Sequence, residues 1–253
     1  MRIMVASNIM GDMSYFDNQI DSADCDCVVT LGTFGIHYND SRDNYLWDNR
    51  YPKMNHRVRD YFKRKRSNFN KYIGRTQFSK PVYYVPAFGD NGNYCSEIQR
   101  DDLITNFKIM KNGIIYTIEK DGYQVRLVGL GGRFNYRSIS NQHKQRYNYY
   151  TVEDIDRLLQ FNGKIDFLFL GDPIGGKKRG MVDFRSEINN RYYDFLDICH
   201  KYELRAVFWN DINAENDVFD FTAIDHTFTM VFCKNMHEQC YVYDINKDEV
   251  VYV

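Results

Sequence analysis

The sequence predicts an α/β fold, and three observations lead to this prediction. Short apolar runs of strand length alternate with amphipathic segments of helix length over most of the chain. Most of these runs end in a polar or glycine-containing turn, as strands do in sheets with crossover helices. Several apolar runs follow one another directly near the end, which favours antiparallel strands there. No internal repeat or interdomain linker is evident, so we predict one domain spanning residues 1–253.

The first residues predict a βαβ unit. Ile3–Ala6 is a short apolar run typical of a buried strand, Ser7–Gly11 is a polar turn, and Met13–Ile20 is a predicted helix. A second strand, Cys27–Leu31, ends at the turn Gly32–Gly35. In open α/β sheets the loops at the carboxyl ends of the strands form the site. We therefore expect any chemistry of this chain at those two turns.

The remaining elements are predicted from the same signals. The further helices are His56–Arg66, Cys95–Phe107, a segment capped by Thr151 that reaches Leu159, and Arg185–Tyr202. The further strands are Val82–Val85, Ile114–Ile118, Gln124–Leu130, Lys164–Leu170, Arg205–Trp209, Phe228–Cys233, Gln239–Tyr243 and Val250–Val253. A turn at Lys120–Gly122 joins two of these strands, and Arg133–Tyr150 is a predicted polar loop.

The composition sets limits on compartment and partner. The formal net charge is -1, so no global field attracts nucleic acid or an anionic membrane, although a local basic patch remains open. The 6 cysteines include no CxxC pair, and the chain starts without a secretory apolar segment. We therefore expect reduced thiols in an intracellular protein. No apolar run approaches the length that crosses a bilayer, so no membrane partner is expected.

The strand ends of the first unit resemble two motifs of the calcineurin-like metallophosphoesterases. In that family the first strand ends in Asp-x-His-Gly and the second in Gly-Asp. Here Asn8 stands at the first aspartate position, Met10 at the histidine and Thr33 at the second aspartate. The spacing of the motifs is kept and their ligands are not.

Three later strand ends continue the resemblance in the family's order, so that it covers nearly the whole chain. The family motifs are Gly-Asn-His-Asp/Glu, a histidine that often precedes Asp-Pro, and Gly-His-x-His. The corresponding positions here are Phe88, Gly89, Asp90, Gly171, Asp172, Asn210, Asp211 and Ile212. Only the acid of the third motif and the Asp-Pro of the fourth are kept.

Within the superfamily the chain looks most like the RNA lariat-debranching branch. The basic, aromatic segment Tyr51–Pro81 lies between the second and third motifs, as it does in those enzymes. The run Gly129–Gly132 and the segment Tyr149–Thr151 before an acidic helix start also resemble that branch. The resemblance implies a two-sheet β-sandwich flanked by helices and an ancestral groove for phosphodiesters or branched RNA.

The motif positions do not suit a dinuclear metal centre. Two divalent ions about 3.5–4 Å apart need carboxylates, imidazoles and a bridging acid to hold them. Methionine is a poor ligand for such ions, and phenylalanine, glycine and isoleucine side chains cannot ligate at all. Asn8, Thr33 and Asn210 offer only neutral oxygens, while the resemblance does not make Asp90, Asp172 or Asp211 principal ligands. We therefore expect no cofactor, with a single Mn or Zn ion as the alternative.

Three functions are compatible with this pattern. The first is a pseudoenzyme that acts as a binding or scaffolding subunit in a protein or ribonucleoprotein assembly. Its RNA-contact candidates are the basic residues of the predicted helix, which could equally form a solvated face: Arg57, Arg59, Lys63, Arg64, Lys65 and Arg66. The second is a divergent phosphodiesterase or nuclease that uses Asp90, Asp172 or Asp211, for which His37 is the one histidine expected near the site. The third is a protein-interaction module whose groove is filled by Met10, Phe88 and Trp209.

Overall fold

The computed structural model describes residues 1–36, 77–87, 90, 95–96, 98–99, 103–135, 149–171, 189–210, 218–223 and 226–253. These residues form two mixed six-stranded sheets with helices on their outer faces. The predicted α/β class and the two-sheet sandwich are therefore confirmed.

Fourteen strands and three helices make up the described part of the chain. In chain order they are β1 (Arg2–Ser7), α1 (Met13–Ser22), β2 (Cys27–Gly32), β3 (Gln77–Pro86), β4 (Thr105–Ile109), β5 (Ile115–Lys120), β6 (Tyr123–Leu130), β7 (Arg133–Asn135), β8 (Tyr149–Thr151), α2 (Val152–Gln160), β9 (Phe167–Leu170), α3 (Asn189–Lys201), β10 (Ala206–Asn210), β11 (Val218–Ala223), β12 (His226–Cys233), β13 (Tyr241–Asp244) and β14 (Glu249–Tyr252). None of these helices is long and apolar enough to cross a membrane.

Each of the two sheets combines four parallel strands with two antiparallel strands. The first sheet runs β14-β13-β1-β2-β3-β4, and the second runs β11-β12-β10-β9-β6-β5. The strands from β1 to β4 are parallel to one another, as are β6, β9, β10 and β12. The remaining strands of these sheets are antiparallel to their neighbours: β13 to β1, β14 to β13, β5 to β6, and β11 to β12. The parallel strands of each sheet thus present their carboxyl ends along one edge.

The alternation of side chains along the strands builds three layers of core. In β1, Ile3 and Val5 point between the two sheets, whereas Met4 and Ala6 point to the outer face beneath α1. A second outer core lies beneath α2 and α3. Because a strand buried on both faces has no polar side, β1 and β2 are continuous apolar runs in the sequence. This explains why these two strands were predictable.

Four features differ from the sequence prediction. The predicted helix Cys95–Phe107 is wrong at its end, because Thr105–Ile109 is a strand beside β3. In that strand Phe107 and Ile109 are buried and their neighbours exposed, a period of two rather than 3.6. Strand β3 begins before Pro81, at a bulge where proline is tolerated. The two ends of the predicted loop Arg133–Tyr150 pair with each other as strands β7 and β8. Strand β11 was not predicted from the sequence. The predicted helix His56–Arg66 lies outside the described residues.

The end of the chain divides between the two sheets. Strand β12 pairs in parallel with β10 in the second sheet, whereas β13 pairs antiparallel with β1 in the first. The connection between them therefore passes from one sheet to the other. It remains close to the first loop, since the Met236 amide donates to the Ser7 carbonyl at 2.8 Å.

Candidate functional site

The carboxyl ends of parallel strands from both sheets meet at one place. Asn8 follows β1 in the first sheet, and Asn210 ends β10 in the second. The Asn8 Nδ2 atom donates a hydrogen bond to Asn210 Oδ1 at 2.7 Å. The topology thus brings together the two residues that the sequence analysis assigned to the first and fifth motif positions. No local signal in the sequence pairs them, because they are 202 positions apart.

The two asparagines belong to a chain of hydrogen bonds that begins and ends on the backbone. The Thr33 amide donates to Asn8 Oδ1 at 3.3 Å, and Asn210 Nδ2 donates to the Gly171 carbonyl at 2.9 Å. Each backbone partner has only one role, donor or acceptor, so each side-chain amide can lie in only one orientation. Asn8 is 6% exposed and Asn210 9% exposed. The centre of the site is therefore a buried, neutral and internally satisfied amide pair.

Gly32 leaves the space that this pair occupies. Its φ is +72°, and a Cβ atom there would lie 2.5 Å from Asn8 Oδ1 and 2.6 Å from Asn210 Nδ2. A side chain at this position would push the two amides apart. The close approach of the second strand end to the amide pair therefore requires glycine.

The position expected for the fourth motif is closed by backbone. A Cβ atom on Gly171 would lie 2.6 Å from the Pro86 carbonyl oxygen and 3.2 Å from Gly131 Cα. At Gly131 a Cβ atom would lie 2.5 Å from the same carbonyl oxygen. Three strand ends, from β3, β6 and β9, are thus in backbone contact. In this packing no side chain, including histidine, fits at position 171.

Asp90 is the acidic motif residue that the structure describes, and protein donors occupy its carboxylate. It accepts backbone N–H bonds from Phe34 at 3.1 Å, Gly35 at 2.8 Å and Ile36 at 2.8 Å. The Tyr84 hydroxyl donates a further hydrogen bond to it. Asp90 is 3% exposed, and burial raises the pKa of its carboxyl while these four donors oppose that shift. Its role in the described structure is to hold the second loop.

The first loop has a strained backbone. Asn8 has a φ of 54° and Met10 a φ of 52°, a region that asparagine tolerates and methionine rarely adopts. The loop is held by the second loop, since the Met10 amide donates to the Thr33 carbonyl at 2.9 Å and the Gly11 amide to the Phe34 carbonyl at 2.8 Å. Strained residues cluster at functional sites, where the surrounding structure fixes them. The contacts between the two loops thus hold Asn8 and Met10 in these backbone conformations.

The expectation that Trp209 fills the groove is wrong. Its neighbour Asn210 points towards the first sheet, so alternation along β10 turns Trp209 to the outer face. There its ring packs 6.2 Å from that of Phe195 and 5.7 Å from that of Phe232. Met10 and Thr33, by contrast, are partly exposed at the loops. Trp209 is therefore shielded from solvent, whereas Met10 and Thr33 are accessible from outside the protein.

One histidine beside the first loop was not expected there. The sequence placed only His37 near the site, yet His237 Nε2 lies 3.4 Å from Asp12 Oδ2, directly after the loop. Its ring centroid lies 4.5 Å from that of Tyr15 on α1. No sequence pattern indicated this contact, because it depends on the connection that passes between the sheets.

Several predicted site residues lie outside the described part of the chain. They are His37, Arg57, Arg59, Lys63, Arg64, Lys65, Arg66, Phe88, Gly89, Asp172, Asp211 and Ile212. Their predicted roles remain predictions.

The described residues do not fit a dinuclear metal centre. Within them no group of three or more His, Cys, Asp or Glu side chains could hold a metal ion. Asn8 and Asn210 are hydrogen-bonded to each other, and Gly171 has no side chain to offer. Among the motif residues that the structure describes, the oxygen donors are therefore the Asn8 and Asn210 amides, the Thr33 hydroxyl and the Asp90 carboxylate, which protein donors already occupy.

No protein-family model and no curated protein sequence matches the chain. The solved structures that resemble it at low sequence identity include the following two proteins. GAP50, the anchor in the inner membrane complex of Plasmodium, is 14% identical with a TM-score of 0.48, over 100% of this chain and 83% of that one. Haemophilus influenzae NAD nucleotidase (NadN) is 8% identical with a TM-score of 0.46, over 100% of this chain and 55% of that one.

Proposed function

We propose that this chain is a catalytically inactive, metallophosphoesterase-like protein that acts as a binding or scaffolding subunit. The observation that carries the proposal is the Asn8–Asn210 hydrogen bond, which joins the strand ends where the motif resemblance expects metal ligands. The lariat-debranching resemblance belongs to the same proposal and rests on the sequence motifs alone.

Electrostatics supports the loss of catalysis. Two divalent cations in a buried site need anionic ligands, because a buried charge without a partner is strongly disfavoured. The amides of Asn8 and Asn210 carry no charge, and each is committed to a neighbour. A metal ion would have to break these bonds, open the contact at Gly171 and displace the donors of Asp90. Each of these changes opposes metal binding.

The alternative is a divergent phosphodiesterase or nuclease with a single Mn or Zn ion. Asp90 is a poor ligand for it, since four protein donors already occupy its carboxylate. That alternative therefore depends on Asp172 and Asp211. Turnover of a phosphodiester that is lost in an Asp211→Asn variant would favour it.

The charge of the motif residues also bears on whether the partner is RNA or a protein. The described motif residues Asn8, Met10, Thr33, Gly171 and Asn210 are neutral, and Asp90 is acidic. None of them attracts a phosphate, so RNA binding would have to come from the basic residues of the segment from Arg57 to Arg66. A protein partner would instead contact exposed side chains without any requirement for those cations.

The experiment combines hydrolysis with RNA binding. We expect no hydrolysis of a generic phosphodiester by the purified chain in added Mn²⁺. Fluorescence anisotropy with single-stranded and branched RNA should show binding that weakens with salt and is reduced in an Arg57→Ala, Arg59→Ala variant. Absence of RNA binding by the unmodified chain would favour the protein-interaction module. Turnover dependent on Mn²⁺ would overturn the pseudoenzyme proposal.

A further inference from the structure

The described chain contains two Asn-Gly dipeptides in contrasting environments. They are Asn112–Gly113, after β4, and Asn162–Gly163, between α2 and β9. An asparagine followed by glycine is prone to spontaneous side-chain deamidation, since glycine has no Cβ to shield its backbone nitrogen and its backbone bends easily. Whether the reaction occurs in a folded protein depends on how firmly the side chain and that nitrogen are held.

The first dipeptide is held on several sides. Asn112 is 5% exposed; its Nδ2 donates to the Gly131 carbonyl at 3.1 Å, and its Oδ1 accepts the Gly131 amide at 2.6 Å. A Cβ atom on Gly113 would lie 2.5 Å from the Asp154 carbonyl oxygen, so the backbone there is closely packed. The side chain cannot rotate towards the Gly113 nitrogen without breaking both hydrogen bonds.

The second dipeptide directly follows an anchored residue, Phe161, and makes no such hydrogen bonds itself. The Phe161 amide donates to the Leu158 carbonyl at 3.0 Å, and the Tyr202 hydroxyl donates to the Phe161 carbonyl at 3.0 Å. Asn162 and Gly163 are both exposed. Among the described residues, nothing hydrogen-bonds the Asn162 side chain or the Gly163 amide. A Cβ atom on Gly163 would lie 2.5 Å from the Phe161 ring, so the nearest neighbour of this glycine is a side chain rather than the backbone that packs against Gly113. The two reacting groups can therefore meet without breaking a hydrogen bond.

We propose that Asn162 is a site of spontaneous deamidation in the folded protein. The Gly163 backbone nitrogen attacks Asn162 Cγ, the new N–Cγ bond closes a five-membered succinimide, and the nitrogen loses its proton to solvent. The Cγ–Nδ2 bond breaks, and the amide nitrogen takes up a proton from solvent and leaves as ammonia. Water then opens either carbonyl of the ring, which gives aspartate or isoaspartate without any oxidant or reductant.

The product places a carboxylate two positions beyond the last residue of α2. The partial negative charge at the carboxyl end of a helix disfavours a carboxylate there, whereas the Lys201 ammonium at the same end favours it. The Leu158 and Leu159 carbonyls at this end accept hydrogen bonds from Tyr202 and Lys201. Deamidation would thus add charge where α2 and α3 are joined.

The test is a comparison of the two dipeptides by peptide mapping and mass spectrometry. The full chain is incubated in mildly alkaline buffer, once folded and once unfolded in urea. In the folded chain Asn162 should convert at least about tenfold faster than Asn112, because a buried site must open locally before it reacts. In urea the two rates should converge, since the dipeptides are the same.

Two results would overturn the proposal. One is equal conversion of Asn112 and Asn162 in the folded chain. The other is an Asn162 that stays intact in the folded chain while it converts in urea. An Asn162→Gln variant is the control, because a six-membered ring closes far more slowly. It should abolish the mass increase of this peptide and leave the Asn112 peptide unchanged.

Discussion

An Asn8→Asp variant tests the amide pair with the smallest possible change of shape. The retained oxygen still accepts the Thr33 amide. The second oxygen replaces Nδ2 and faces Asn210 Oδ1, so two acceptors meet where the present separation is 2.7 Å. Rotation of the Asn210 amide would relieve this contact but would turn its oxygen towards the Gly171 carbonyl. Neither arrangement satisfies every group.

The expected loss of stability follows from these contacts. One buried hydrogen bond contributes about 1 kcal/mol, and a buried polar group left unpaired costs about 1–3 kcal/mol. We therefore expect the free energy of unfolding to fall by roughly 2–4 kcal/mol at neutral pH. The new carboxyl should have a raised pKa in the fold, since its protonated form restores the missing donor. The penalty is thus present above the folded pKa and disappears as the pH falls below the unfolded value of about 3.9.

Urea unfolding at neutral and acidic pH measures this loss. Asn162→Asp makes the same chemical change at an exposed residue and should alter stability by no more than about 0.5 kcal/mol. An Asn8→Asp variant as stable as its parent at neutral pH would refute the reasoning. So would an equal loss in both variants.

Three further predictions concern the packing around the site and α1. Gly171→Ala should destabilise the protein by about 1–3 kcal/mol in urea unfolding, because the Pro86 carbonyl cannot yield to a Cβ at 2.6 Å; an unchanged midpoint would contradict the closed packing. Met10→Gly should stabilise it by about 0.5–1 kcal/mol by relieving the positive φ, and a loss of stability would contradict that strain. Burial, then repulsion from Asp21, raises the pKa of Asp17 from 3.8 to about 6. The contribution of Asp17 to stability is complete below pH 3.8 and is lost as the pH rises through about 6. An Asp17→Asn variant should therefore be more stable than its parent above that range and equally stable below it. The expected gain is about 0.5–1 kcal/mol, because solvent screens this partly exposed carboxylate. Thermal unfolding across this pH range checks the sign.

The sequence predicted the elements whose pattern is local. Strands β1 and β2 are continuous apolar runs, and the β5–β6 hairpin turns at Asp121 and Gly122, both of which have a positive φ as the turn requires. The helix predicted from Cys95 to Phe107 is wrong at its end, because Phe107 belongs to a short strand whose burial depends on β3. Its helical interpretation used only neighbours in the sequence.

The proximity of several candidate-site residues was predictable from the sequence, but the contacts between them were not. Motif order placed Asn8, Thr33, Gly171 and Asn210 at strand ends that the structure brings together. That the two asparagines satisfy each other depends on the spacing between two sheets, which no sequence pattern carries. The closure at position 171 depends likewise on a backbone atom of Pro86.

The metal content of the purified full chain tests the central claim most directly. The chain is produced with Mn²⁺ and Zn²⁺ present, desalted, and measured by elemental analysis before and after treatment with a chelator. A neutral amide pair at the strand ends predicts far less than one equivalent of metal and the same unfolding midpoint with and without chelator. One or more equivalents of metal, with a midpoint that falls when the chelator removes it, would contradict the account.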